Sequence, residues 1–64
     1  MNNTVIEVQD PAGNWIRYTT LTTDYPQQIA QALKQALKSL AAQKSKKARA
    51  VDEKTGALLD MLHG

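Results

Sequence analysis

The sequence predicts an α+β fold in two layers, β-hairpin–α-helix–β-hairpin, with one helix packed on a four-stranded antiparallel sheet. Three observations predict it. Two strings of turn residues, Asp10-Pro11-Ala12-Gly13-Asn14 and Asp52-Glu53-Lys54-Thr55-Gly56, each divide a pair of short apolar runs. Between them lies one stretch whose apolar residues recur at steps of three and four. Residues 1–64 read as one small domain, with a loose, polar start at 1–3.

Thr4 to Gln9 reads as a strand, because β-branched residues dominate it. Pro11 presets the backbone angle of a type I turn, and Gly13 supplies the left-handed residue that closes a three-residue hairpin loop. Trp15 to Leu21 is the return strand. That loop fixes the register, placing Val8 opposite Ile16, Glu7 opposite Arg17 and Ile6 opposite Tyr18. The pairing sets opposite charges across from each other, an arrangement that contributes about 0.2–1 kcal/mol.

Asp24 is the expected N-cap, with Gln27 at capping-box spacing and Pro26 in the tolerant first turn. The helix is expected to run to about Gln43, with Ile29, Leu33, Ala36, Leu37 and Leu40 as its apolar stripe. Glutamines and lysines cover the other side. After a basic connector, Ala48 to Val51 and Ala57 to Leu62 form the second hairpin around a four-residue loop. The expected pairs are Asp52 with Ala57, Val51 with Leu58, Ala50 with Leu59, Arg49 with Asp60 and Ala48 with Met61. A helix over 57–63 is the competing reading, since Leu58, Leu59 and Leu62 also suit helical spacing. The third strand is expected beside the first.

Alternation assigns the faces. Ile6, Val8, Ile16 and Tyr18 in the first hairpin, and Ala48, Ala50, Leu59 and Met61 in the second, form the seat for the helix. The reverse face carries Val5, Glu7, Gln9, Trp15, Arg17 and Thr19 from one hairpin. From the other it takes Arg49, Val51, Leu58, Asp60 and Leu62. Val5, Trp15, Val51, Leu58 and Leu62 would make an apolar patch ringed by Arg17, Arg49 and Asp60. Such patches mark contact surfaces, and Trp and Arg are the side chains most enriched at binding hot spots.

Composition bounds the function. The chain is 64 residues long, 42% hydrophobic and 22% charged, with no cysteine. Thiol chemistry and sulfur-ligated zinc are therefore excluded. No apolar run approaches the roughly 20 residues of a membrane helix, and no basic start leads into an apolar segment. The expectation is a cytoplasmic protein without membrane contact. A core in so small a domain supplies only about 3–5 kcal/mol, which favours self-association. The one histidine, His63, pairs with no nucleophile, and the acids are accounted for by turns, the cap and the cross-strand arginines. No glycine-rich phosphate loop occurs. The sequence thus predicts no enzyme, no cofactor, no metal site and no small-molecule ligand.

Two partner classes remain. One is a protein, foremost a second copy of the chain, bound through Val5, Trp15, Arg17, Val51 and Leu58. The alternative is nucleic acid. Residues 34–64 carry seven cations against three carboxylates, a net of +4. Lys44, Lys46, Lys47 and Arg49 are the cluster that would neutralise phosphates, with Trp15 or Tyr18 available to stack on a base. No helix-turn-helix or RNA-recognition signature accompanies them. Nothing in the sequence names the partner.

Overall fold

The computed structural model describes residues 3–39 and 47–63. Their order is β1 (Thr4–Gln9), β2 (Trp15–Leu21), α1 (Pro26–Ser39), β3 (Lys47–Asp52) and β4 (Leu58–His63). The four strands form one antiparallel sheet in the order β2-β1-β3-β4, with α1 on one side. The two-layer α+β fold and the placing of the third strand beside the first are as the sequence predicts. Residues 57–63 are extended rather than helical, and both strands of the second hairpin begin or end one residue away from the expected limits.

Both turns form as their residues dictate. In the first, the Gly13 N–H donates to the Asp10 carbonyl at 3.0 Å, and the Asp10 N–H donates to the Asn14 carbonyl at 2.9 Å. Gly13 has φ +93°, the left-handed value that closes a type I turn with a glycine bulge. The Asp10 carboxylate also accepts the Asn14 N–H at 2.7 Å. In the second, the Asp52 carboxylate accepts the N–H groups of Lys54 and Thr55, and Gly56 turns the chain at φ +74°.

Each hairpin then departs from simple pairing at one bulge. Val8 faces Ile16 and Glu7 faces Arg17, but Ile6 faces Thr19, so Tyr18 is the extra residue rather than the partner of Ile6. In the second hairpin Val51 faces Leu58, but Ala50 faces Asp60, Arg49 faces Met61 and Ala48 faces Leu62. Leu59 is the extra residue. The expected pairs Ala50–Leu59, Arg49–Asp60 and Ala48–Met61 therefore do not form. One inserted residue exchanges the faces of everything beyond it. Leu62 joins the helix side, where it packs against the core, and Met61 goes to the reverse face. Thr19 likewise sits opposite core residue Ile6.

The core lies between α1 and the central strands. Ile6, Ile29, Leu33, Ala36, Ala48 and Ala50 are buried in one cluster, with Val8, Leu21, Ala32, Leu37 and Leu62 packed around it. Alanines at 36, 48 and 50 let the helix approach the sheet closely, at the expense of apolar volume. The helix packs on β1, β3 and β4 and leaves β2 at its border. At the Trp15 end of β2 the helix side is consequently open, with Ile16 50% exposed, while Leu21 at the other end packs against the core. The shielding is thus of three strands, not the whole layer.

Asp24 is not the N-cap. The first helical residue is Pro26, and the Ile29 N–H donates to the Tyr25 carbonyl at 3.0 Å, which makes Tyr25 the capping position. The segment before it is held by Thr23, whose hydroxyl accepts the Tyr25 N–H at 3.2 Å. The fully buried Thr4 donates its hydroxyl to the Thr23 carbonyl at 2.8 Å, tying the start of β1 to the start of the helix. The expected last turn, from Leu40 to Gln43, lies outside the described residues.

Candidate functional site: the helix-free sheet face

Residues directly opposite in an antiparallel pair share a face, so the pairing defines the surface that α1 does not cover. Across β2, β1, β3 and β4, one row is Thr20, Val5, Val51 and Leu58, and the next is Arg17, Glu7, Arg49 and Met61. Beyond these lie the pairs Trp15–Gln9 and His63–Lys47. The expected contact residues Val5, Trp15, Arg17, Val51 and Leu58 all stand on this face. The expected neighbours Leu62 and Asp60 do not, because the Leu59 bulge turns them to the helix side. Met61 takes their place, a residue that alternation without the bulge assigns to the core.

The two ends of the face differ in character. At the end of Val5, Val51 and Leu58 the surface is apolar. Val5 is only 4% exposed although no helix covers it, because β1 is central and Thr20 and Val51 flank it. Leu58, on edge strand β4, is 57% exposed. At the opposite end the surface is cationic. Arg17, Arg49 and Lys47 stand there with a single described carboxylate, Glu7.

Glu7 has an arginine on either side but bonds to one. The Arg49 Nε donates to its Oε1 at 2.7 Å, and among the described residues this is the one ion pair. Arg17, which the sequence sets opposite Glu7, does face it in register but makes no such bond. The Arg49 guanidinium also lies 4.2 Å from the Trp15 ring centroid. Arg49 thus reaches across β1 from β3 to β2. A guanidinium over an indole is attracted by the ring's negative face, and the planar group packs against it. Alternation placed both residues on one face. It gave no sign of their contact, which depends on strand order.

The expected phosphate-binding cluster is divided. Lys47 and Arg49 belong to β3 and to this face, while Lys44 and Lys46 lie outside the described residues. Tyr18, the extra residue at the bulge of β2, is 44% exposed and stands on a strand not adjacent to that of Lys47 and Arg49.

On the helix side, Asp24, Pro26, Ile29, Leu59 and Asp60 line an open cleft of about 240 Å³. The Asp60 carboxylate accepts the N–H of Met61 at 2.8 Å. Among the described residues, no group of three His, Asp or Glu side chains is placed to share a metal ion. No described helix is long and apolar enough to cross a membrane.

The class these features define is a two-layer α+β domain with an open sheet face. No family model matches the chain, and neither a curated protein nor a solved structure matches it.

Proposed function

We propose that this protein is a non-enzymatic interaction module that self-associates through the helix-free face of its sheet. The observation that carries this reading is the apolar band of Val5, Val51, Leu58 and Met61, which no helix covers. Trp15 and Arg17 stand toward its border.

Two further features support it. Among the described residues, the cluster beneath the helix holds Ile6, Ile29 and Leu33 as its large buried side chains, the rest being alanine. So thin a core gains from a second apolar layer. Both edge strands also carry a bulge, at Tyr18 in β2 and Leu59 in β4. Bulges blunt an edge against pairing with another chain. The face is therefore the better surface for a second copy than either edge.

Sedimentation equilibrium at micromolar concentration tests this. The wild-type protein is expected at twice the chain mass. Leu58→Asp and Trp15→Ala should shift it toward monomer, while Ile16→Asp, on the helix side of β2, should not. A monomer at every concentration overturns the reading. So does an assembly that Ile16→Asp dissociates and Leu58→Asp leaves intact.

A further inference from the structure

We infer that the cationic end of the helix-free face binds the backbone of single-stranded nucleic acid. Charge complementarity is the first argument. Arg17, Lys47 and Arg49 share this end of the face with one carboxylate, Glu7. Glu7 is already engaged by the Arg49 Nε at 2.7 Å. That bond uses the Nε of Arg49, and it leaves Arg17 and Lys47 without an ion pair to any described carboxylate. Of the other described carboxylates, Asp10 and Glu53 lie at the turns, Asp24 before the helix, Asp52 at the end of β3 opposite Thr4, and Asp60 on the helix side of β4.

Preorganisation is the second argument. The Arg49 guanidinium is held from two directions, by Glu7 and by the Trp15 ring at 4.2 Å. A fixed guanidinium loses less freedom on meeting a phosphate or the plane of a base than a solvated one. The third argument is shape. The surface is a sheet carrying an aromatic ring beside cations, the combination that tracks a single strand without reading its sequence. A duplex presents its phosphates on a convex rod, and α1 sets only Lys34 and Lys38 as described cations on its outer side. A single strand can lie along the face itself. Lys47 also continues the sequence run that includes Lys44 and Lys46.

This site adjoins the apolar end proposed for self-association and shares Trp15 with its border, so the two inferences are separated by Leu58→Asp at the apolar end and by the Arg17→Ala and Lys47→Ala pair at the cationic end. The test uses the full chain and a short poly(dT) oligonucleotide, read by the fluorescence of Trp15, the one tryptophan. Binding at low salt should quench that fluorescence. With three phosphate contacts at a slope of about −0.7 each, affinity should fall roughly 20-fold between about 50 and about 200 mM salt. Arg17→Ala combined with Lys47→Ala should leave a single contact and reduce that loss to roughly 3-fold. Both side chains stand on the surface of the sheet, and circular dichroism of the double variant should match wild type. Leu58→Asp should dissociate the assembly and retain the oligonucleotide affinity.

The inference is overturned by no binding at low salt, by affinity unchanged in the double variant, or by tighter binding of the corresponding duplex. Equal binding of poly-glutamate also overturns it, since the face would then be a general acceptor of acidic chains.

Discussion

Arg49 on β3 and Trp15 on β2 meet across the strand that separates them, with the guanidinium 4.2 Å from the centre of the indole. The same guanidinium takes Glu7 of the intervening strand. Three strands are thereby joined by side chains on the face that the helix leaves open. The contact links residues 34 positions apart, so it serves as a reporter of correct sheet assembly as well as a feature of the surface.

A double-mutant cycle with Arg49→Met and Trp15→Leu should return a coupling of about 0.5–1 kcal/mol in urea unfolding. The corresponding cycle for Glu7→Gln and Arg17→Met should give less than about 0.5 kcal/mol, as expected of an exposed arginine that only faces its partner in register. A stronger coupling through Arg17 than through Arg49 would contradict the observed pairing.

Ala50 is fully buried between the helix and the sheet. Ala50→Leu should cost about 1–3 kcal/mol by forcing α1 away from the strands. Leu33, also fully buried, fills the same layer from the helix. Leu33→Ala should cost about 2–5 kcal/mol through lost burial and the cavity left behind. In a domain this small either loss approaches the whole stability, so the check is the fraction folded by circular dichroism at room temperature. A fully folded Leu33→Ala protein with unchanged melting would refute the core assignment.

Thr4 is the one polar residue fully buried among those described, and its hydroxyl satisfies the Thr23 carbonyl. Thr4→Val keeps the shape and removes the donor. The expected cost is about 1 kcal/mol, because the part-buried Thr23 carbonyl loses its donor. Thr4→Ser keeps the hydroxyl and should recover much of it. Amide exchange near Thr23 and Tyr25 should quicken in the valine variant and not in the serine variant.

Gly56 has φ +74° and open space where a Cβ would stand. Gly56→Ala should therefore cost about 1–2 kcal/mol from backbone strain alone. Gly56→Asn should cost less, since Asn tolerates the left-handed region better than Ala. The comparison is made by thermal unfolding. Equal stability of the alanine and glycine proteins would mean that the turn adopts another form.

Salt should separate the two binding modes. In the proposed face-to-face dimer, strands of the two copies running the same way would bring Arg17, Lys47 and Arg49 of one copy toward those of the other, against one Glu7 on each. Screening relieves that repulsion, so the dimer should tighten as salt rises. Oligonucleotide binding should weaken over the same range. Titrations of both across one salt series give slopes of opposite sign, and two slopes of the same sign would refute one of the assignments.

The five elements were legible in the sequence because each obeys a local rule. Asp10-Pro11-Ala12-Gly13 can form few turns, and the three-residue loop carries the register of its hairpin as far as Glu7 and Arg17. The stripe of Ile29, Leu33 and Ala36 depends only on helical period. The strands of the second hairpin were legible from their turn and composition, although its apolar return run suited a helix as well.

What the tertiary structure decided lies beyond a few residues' reach. The extra residues Tyr18 and Leu59 leave no mark in alternation, yet they move Thr19 and Leu62 to the helix side and Met61 to the open face. Asp24 suits a cap by composition, but Thr4 pins the Thr23 carbonyl and the helix starts from Tyr25. Glu7 bonds Arg49 rather than Arg17, and Arg49 also meets the Trp15 ring, a pairing that exists only because β3 lies beside β1. Local chemistry thus determined which segments are strand, turn and helix. Strand order and bulges, set by how those segments pack, determined which side chains meet on the exposed face.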